Sequence, residues 1–341
     1  MNRATRTAGL GGLLGAIALA AFGAQAVEPP LRERAQAFVR PQGIPHPADN
    51  AGSGARIELG RTLFFDPRLS ASGTVSCGTC HNPAFDWGDG LALGVGHGMK
   101  QLERRTPTIL NLAWGEAFFW DGRATSLEEQ ALGPIQAQGE MNMPLEKLVE
   151  KLGSIAEYAP LFEAAYPGES ISARTVAKAL AAFERTVVSG EAPFDRWVEG
   201  DEHALDAAAL RGFDLFTGKA QCATCHQGWR FTDDSFYDIG IEGNDLGRGA
   251  LLPDVEVTRH AFKTPTLRNV DRRAPYMHNG SEPDLEAVIA LYDRGGRVKR
   301  PSLSPEIKPL GLSDDEKHDL LAFLRTLTSS TPPAALPMMP R

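Results

Sequence analysis

The chain has 341 residues, which is enough for two domains, and 42% of them are hydrophobic while 23% are charged. Its formal net charge is −8 at pH 7. An acidic chain of this kind argues against a nucleic-acid partner and favours a basic protein partner.

The N-terminal segment has the pattern of an export signal. Arg3 and Arg6 precede an apolar run over residues 8–24, and small residues follow it. This order predicts a cleaved signal peptide at residues 1–26. A membrane anchor is the alternative, but the run is short and rich in Gly and Ala. We therefore expect an exported mature chain without a membrane span.

All four cysteines lie in two copies of the pattern C-x-x-C-H. The copies are Cys77, Cys80 and His81, and Cys222, Cys225 and His226. This pattern attaches c-type haem through two thioethers, and its histidine binds the iron. Zinc, which needs four ligands brought together, and disulfide chemistry are the alternatives. Two copies in an exported chain with no spare cysteine favour two covalently bound haem c groups.

The chain also repeats itself at a constant offset. The segment TPTILN at 106–111 recurs as TPTLRN at 264–269, 158 residues later, and G-x-x-L-F precedes both haem motifs, at 60–64 and 212–216. At the same offset Gly122, Leu127 and Glu128 recur as Gly280, Leu285 and Glu286. The repeat predicts two cytochrome-c-like haem domains related by internal duplication.

The predicted elements are helices, so we expect an all-α fold. Ser126 with Glu129 and Ser313 with Glu316 form capping boxes, and Ser172 opens an apolar-periodic run that closes at Gly190. The segments after each haem motif are rich in Gly, Pro, Asp and Asn and should be loops.

Strand signals are few, and the Pro-rich tail from Ser329 should be irregular. We expect the domain boundary between Gly190 and Ala204. The predicted domains are residues 27–195, with the peroxidatic haem assigned below, and residues 196–341, with the electron-transfer haem.

The repeat predicts different surroundings for the two irons. Pro134 in the first half corresponds to Tyr292 in the second. Proline offers iron no ligand, whereas a tyrosine phenolate is an accepted haem ligand. The first iron would then be open and the second capped. A core tyrosine on a helix face is an equal alternative, and Met277 is the rival ligand of the second haem.

Other residues are candidates for the chemistry of such a pair. Trp120 corresponds to His278 and could carry an electron between the haems, with plain packing as the alternative. Glu140 could move a proton between peroxide oxygens, or could be a solvated loop carboxylate. Gln130, one helical turn before the proline, could orient peroxide. His97 could bind the first iron in a resting state, or take no part.

Together these features resemble the bacterial di-haem cytochrome c peroxidase and MauG family. The resemblance covers almost the whole mature chain and rests on the two haem motifs together with GVGHG, RRTPTILN, FFWDGRA, LEEQALGPI, GEMN, TPTLRN, APYMHNG and LYDRGG. The family is all-α, with two cytochrome-c-like domains and a calcium ion between them. Membership would imply a periplasmic oxidoreductase that reduces hydrogen peroxide.

The resemblance also implies roles for single residues. These are His81 as proximal ligand of the peroxidatic haem, His226 as that of the electron-transfer haem, His97 as the histidine that leaves on reductive activation, Trp120 as the inter-haem tryptophan, and Gln130 with Glu140 as the distal pair. The peroxidases have methionine at the position of Tyr292, whereas MauG has a tyrosine that stabilises a high-valent state shared by both haems. The second haem therefore resembles that of MauG, and the first, with His97, that of the peroxidases.

The calcium site departs from the family pattern. Its asparagine ligand aligns with Arg105, and two carbonyl ligands would come from Arg273 and Pro275. A guanidinium there would repel the metal or replace its charge. The sequence thus leaves open both the ion and its substitute.

The electron source also stays open. A small cytochrome c or a cupredoxin is one donor, and a protein substrate that is oxidatively modified, in the manner of MauG, is the other. Trp197 and Trp229 are candidates for a surface electron route. The sequence leaves open whether the protein forms a dimer. A non-catalytic di-haem electron carrier is the alternative from another functional class.

Overall fold

The computed structural model describes Met1, residues 29–330 and residues 336–341. The predicted signal peptide, apart from Met1, lies outside the described residues, as does part of the Pro-rich tail. Within the described ranges, no helix is long and apolar enough to cross a membrane.

The described chain is mainly helical, which confirms the predicted helical class. Its α-helices are α1 (Leu31–Ala35), α2 (Gly54–Phe65), α3 (Cys77–Cys80), α4 (Leu127–Gln136), α5 (Leu145–Gly153), α6 (Tyr158–Ala165), α7 (Ala173–Glu184), α8 (Pro193–Val198), α9 (Ala207–Thr217), α10 (Leu285–Asp293) and α11 (Asp314–Arg325). Short 3₁₀ helices lie at Gln36–Phe38, Ala48–Asn50, Pro67–Leu69, Pro83–Phe85, His97–Met99, Leu112–Trp114, Cys222–Thr224, Arg248–Ala250, Glu256–Thr258 and Val270–Arg272. One antiparallel pair, β1 (Phe236–Tyr237) and β2 (Phe262–Lys263), places Phe236 opposite Lys263.

The predicted helix starts are confirmed, but one predicted end is wrong. The predicted capping box at Ser126 is also wrong, because the Glu129 carboxylate accepts from the Thr125 N–H and not from that of Ser126. The hydroxyls of Ser126, Ser172 and Ser313 each accept a hydrogen bond from the backbone N–H three residues later. Helix α7 ends at Glu184 and not at Gly190. The chain leaves the helix because the Val187 carbonyl accepts from Asn111 N and the Ser189 N–H donates to Asn111 Oδ1 instead.

The recurring glycine of G-x-x-L-F allows two helices to touch in each half. Helix α2 packs on α7, and α9 packs on α11. A Cβ at Gly60 would lie 1.9 Å from the carbonyl oxygen of Ala179, and a Cβ at Gly212 would lie 1.9 Å from that of Asp319. Only glycine permits so close an approach of helix backbones.

Two main hydrophobic cores surround these helix pairs. The first joins α2 with α4–α7, and the second joins α8–α11. The N-terminal residues 31–38, which the sequence prediction placed in the first domain, contribute Ala35 and Phe38 to the second core. The Phe38 ring stacks on Phe231 with 4.8 Å between ring centroids.

The two halves meet at a pair of glycine turns. Gly122 (φ 71°) leaves no room for a Cβ, which would lie 2.1 Å from the Phe236 ring of the second half. In the reverse direction, a Cβ at Gly280 (φ 65°) would lie 2.5 Å from Ala92 of the first half. Each turn therefore packs closely against the opposite half, and both turns flank the site described next.

Candidate active site

One cavity of about 860 Å³ joins the two haem motifs. Its walls include Cys80 and His81 of the first motif and Cys222, Cys225 and His226 of the second. The predicted residues Trp120, Gln130, Pro134, Glu140, Met277, His278 and Tyr292 also line it. Most of the predicted site residues, from both halves of the chain, thus line one cavity.

Both motif histidines are held in the same way. His81 Nδ1 lies 3.2 Å from the carbonyl oxygen of Trp87, and His226 Nδ1 lies 2.9 Å from that of Phe231. Because a carbonyl only accepts, Nδ1 carries the proton and Nε2 keeps its lone pair. Burial lowers the pKa of each imidazole, which keeps it neutral. This is the state in which histidine binds iron.

The thiols complete a donor set that fits haem c. All four cysteines are free thiols, which attachment to haem requires. Among the described residues, no group of three or more His, Cys, Asp and Glu side chains is placed to hold a metal ion. The zinc alternative therefore does not fit, whereas an apolar cavity with paired thiols and a neutral imidazole at each end fits two haems.

The end of the cavity near the first motif carries the predicted distal residues. Gln130 and Pro134 lie one turn apart on α4. The Glu140 loop is fixed by hydrogen bonds from Glu140 N to the Ala137 carbonyl (2.9 Å) and from Met141 N to the Pro134 carbonyl (3.1 Å). Burial raises the pKa of Glu140. A carboxyl of this kind can gain and lose a proton closer to neutral pH.

Arg123 is a site residue that the sequence analysis did not assign. It lines the cavity, donates to both carboxylate oxygens of Asp121 (3.0 and 2.9 Å) and lies 3.5 Å over the Phe119 ring. Its charge partly opposes the effect of burial on the pKa of Glu140. The signal was present in the FFWDGRA stretch, but only the fold brings Arg123 near Glu140.

Both rival ligands of the second haem line the cavity. Burial raises the pKa of the Tyr292 phenol above its ordinary range, and the thiols of Cys222 and Cys225 add to this effect. Tyr292 therefore lies close enough to the second motif for these two thiols to affect the pKa of its phenol. Met277 has a left-handed backbone (φ 72°), as does Phe119 (φ 68°) at the corresponding position of the first half. The assignment of Tyr292 as the ligand stays a prediction.

Trp120 lies where the two halves touch. Its Nε1–H donates to the Arg105 carbonyl (2.8 Å), and its own carbonyl accepts from Lys263 N (2.8 Å). The indole meets the His278 ring edge-on, with 6.4 Å between centroids, and His278 stacks on Phe262 at 3.6 Å. Trp120 and its repeat counterpart are therefore neighbours, with ring contacts that continue into the second half.

His97 stands apart from the cavity. It is absent from the lining residues, and its buried Nδ1 has no hydrogen-bond partner within the described part of the chain. Its backbone N–H donates to the Gly139 carbonyl (3.0 Å), so the loop that carries His97 is bonded to the loop that carries Glu140. Its role as a resting-state ligand stays a prediction.

The candidates for a surface electron route differ in their surroundings. Trp197 is only 4% exposed and packs in the second core. Trp229 is half-buried and meets Trp114 of the first half edge-on at 4.7 Å. The sequence analysis did not single out Trp114, because nothing local marks its contact with a residue so distant in the chain.

Comparison with known proteins identifies matches to both halves. Residues 54–203 match the family described as di-haem cytochrome c peroxidase, and residues 209–328 match the cytochrome c family. The chain is 57% identical to the methylamine utilization protein MauG of Methylorubrum extorquens over 89% of its own length and 86% of that protein. It is 36% identical to the cytochrome c551 peroxidase of Nitrosomonas europaea, over 83% of each chain.

A solved structure is similar over most of the chain. It is described as a MauG-like protein associated with microbial copper homeostasis, and it superposes with a TM-score of 0.77 at 32% identity. The match covers 85% of this chain and 93% of the other.

Proposed function

The chain belongs to the di-haem cytochrome c peroxidase family, which includes MauG, and we propose that it reduces hydrogen peroxide with electrons that pass through its second haem. It is an oxidoreductase with covalently bound haem c. The observation that carries the proposal is the single cavity that contains both haem motifs, the Gln130–Glu140 pair and Trp120. A pure electron carrier has no use for a half-buried carboxyl with a raised pKa on the same cavity wall as Pro134, a residue that offers iron no ligand.

When bound at His81 and His226, the haems supply the iron that cleaves the peroxide bond and the store of electrons. The side chains manage protons and position. Each peroxide takes up two electrons and two protons and leaves as two waters. Glu140 takes a proton from one peroxide oxygen and returns it to the other, and its raised pKa suits both steps. Gln130 orients the peroxide by hydrogen bonding.

Trp120 connects the two halves in this proposal. Its indole bonds to Arg105 in the first half and contacts the His278 ring in the second half. These contacts give an electron a path between the haem sites. The Arg105 carbonyl and the Lys263 N–H hold Trp120 at the junction of the two halves.

A second candidate function is oxidative modification of a protein substrate in the manner of MauG. Two observations favour it: Tyr292 lies in the cavity near the second motif, and the relative with 57% identity is a MauG. The electron source would then be side chains of that substrate. In the peroxidase case it would be a small cytochrome c or a cupredoxin. For a route to the surface we propose the half-buried pair of Trp114 and Trp229.

We further propose that the halves, residues 27–195 and 196–341, are haem domains that arose by duplication. Residues 158 apart share left-handed backbones at Asn111 and Asn269 (φ 63° and 56°). The helices that begin at Leu127 and Leu285 stand at the same offset. Residues 31–38 would then belong to the first domain but pack on the core of the second. The predicted export signal supports a periplasmic location for the mature protein.

The first experiment is to add stoichiometric hydrogen peroxide to the ferric holoprotein without reductant. A rapid optical change with a new near-infrared band supports the MauG-like function, and Tyr292→Met should abolish that band. Reactivity only after one-electron reduction supports a peroxidase held at rest by His97. No reaction in either state refutes both functions and leaves an electron carrier.

Glu140→Gln tests the proton role separately. We expect the rate of peroxide consumption to fall about 10²-fold or more, which is the usual contribution of a general acid–base group. The visible spectra of both haems should stay unchanged. Glu146→Gln, an exposed change in the same half, is the matched control. An unchanged rate in the Glu140 variant would remove Glu140 from the mechanism.

A further inference from the structure

The guanidinium of Arg105 is buried at the junction of the two halves. Only 6% of the residue is exposed. Its Nη2 donates to the Arg273 carbonyl at 2.7 Å, and its Nη1 lies 3.3 Å from the Thr106 carbonyl. Among the described residues, no carboxylate forms an ion pair with Arg105 or with Arg273. The partners of this cation are thus backbone carbonyl oxygens.

These partners are of the kind that calcium selects. Calcium binds carbonyl and carboxylate oxygens in flexible shells. The resemblance placed a calcium ion on the Arg273 carbonyl, with its side-chain ligand at position 105. That carbonyl now accepts a hydrogen bond from a guanidinium, and a divalent ion beside it would face a fixed positive charge. The residues present do not fit a calcium ion.

Both guanidiniums keep their charge. Burial lowers the pKa of Arg105 and, with the Arg105 charge adding to the effect, lowers that of Arg273 to about 10. Arg273 therefore remains protonated at pH 7, and its Nη2 donates to the Thr266 carbonyl (2.6 Å). The junction contains a permanent positive charge that the protein itself supplies.

The backbone of Arg105 bonds to the Trp120 indole and to the backbone of His278. Its N–H donates to the His278 carbonyl (2.7 Å), and its carbonyl accepts from Trp120 Nε1 (2.8 Å). The side chain of the same residue reaches across to Arg273 of the second half. Loss of that anchor would free the peptide that bonds to the Trp120 indole and to the His278 backbone.

We propose that the Arg105 guanidinium is a built-in cation that takes the place of an exchangeable calcium ion, so that the chain positions Trp120 and His278 without a divalent metal. The sequence left open whether the guanidinium repels the ion or replaces it. Replacement follows because the guanidinium itself bonds to the expected ligand. Arg105 is therefore a positioning residue.

The first test measures the wild-type holoprotein directly. It is treated with EGTA, desalted and analysed for calcium relative to iron, and its thermal unfolding and haem absorption spectrum are recorded. We expect calcium far below one per chain and no change in melting temperature or spectrum on chelation. One calcium per chain that survives desalting, or a spectral change that added calcium reverses, overturns the proposal.

The second test is a substitution that should recreate a calcium site. Arg105→Asn removes the cation and offers a neutral amide oxygen. In EGTA we expect this variant to melt several degrees below the wild type and to transfer electrons between its haems more slowly after one-electron reduction. Added calcium should restore both properties, and magnesium, which demands stricter geometry, should not. If the melting temperature and electron transfer of Arg105→Asn do not respond to calcium, the proposal that Arg105 replaces the ion is contradicted.

Two control variants separate charge and stability from calcium binding. Arg105→Lys keeps the charge but loses the planar fork, so it should be less stable than the wild type yet insensitive to calcium. Arg104→Gln breaks the neighbouring ion pairs to Asp121 and Asp245, both at 2.7 Å, and should also be destabilised without a calcium response. If Arg105→Asn fails to fold, the calcium content of the wild type still decides.

Discussion

Replacing Glu184 by glutamine should change how the stability of the first half depends on pH. Glu184 is 5% exposed near the end of α7, and its Oε2 has no hydrogen-bond partner among the described residues. Burial raises the pKa of its carboxyl to about 8. The folded protein therefore keeps Glu184 neutral at pH 7, where the unfolded chain has lost the proton.

The size of the effect follows from this difference in proton binding. The unfolded carboxyl titrates near its ordinary pKa of 4.5 and the folded one near 8. Between these values the folded state holds one more proton, so stability is full below the lower value and falls as the pH rises. The slope is about 1.4 kcal/mol per pH unit, and from pH 5 to 7.5 the loss is roughly 3 kcal/mol. Glutamine cannot ionise, and its variant lacks this slope.

The assay is urea unfolding of wild type and Glu184→Gln between pH 5 and 8, followed by circular dichroism. The free energy of unfolding of Glu184→Gln, relative to that of the wild type, should increase steadily as the pH rises. Glu128→Gln is the matched control with the opposite sign. Burial alone would raise the pKa of Glu128, but hydrogen bonds from Arg185 and Asn50 lower it. Between pH 5 and 8 that control should be less stable than the wild type by a nearly constant amount, and it should approach the wild type only below pH 4.5, where the carboxyl takes up a proton. A difference between wild type and Glu184→Gln that does not change with pH would refute the reasoning.

Three further substitutions test the junction and the cores. Trp120→Phe keeps an aromatic ring but loses the indole N–H bond, so electron transfer between the haems, measured by stopped-flow absorption, should slow at least tenfold; an unchanged rate would assign Trp120 to packing. Asp195→Asn breaks the buried pair with Arg268 (2.7 Å, both side chains at most 1% exposed) and should cost about 3–5 kcal/mol in urea unfolding; a loss below 1 kcal/mol would argue against a charged pair. Gly212→Ala puts a Cβ against the Asp319 carbonyl and should cost roughly 1–3 kcal/mol in thermal unfolding, whereas a neutral effect would mean that the helices separate freely.

Much of the local structure could be predicted from the sequence. The caps at Ser126, Ser172 and Ser313 are correct because a cap depends on side chains only three residues apart. The C-x-x-C-H motifs likewise carry their whole chemistry in five consecutive residues. The predicted end of α7 was wrong because Asn111, far away in the chain, bonds to the backbone of Val187 and of Ser189.

The sequence by itself determined which groups are present: paired thiols and imidazoles for two haems, a proline opposite a tyrosine in the repeat, and an arginine where calcium was expected. Only the tertiary structure decided which of them meet. It placed Trp120 against His278, the Arg105 guanidinium on the Arg273 carbonyl, and the segment 31–38 on the second core. These contacts join residues far apart in sequence, and no local pattern encodes them. They form because burying apolar surface and satisfying buried polar groups are properties of the whole packed chain.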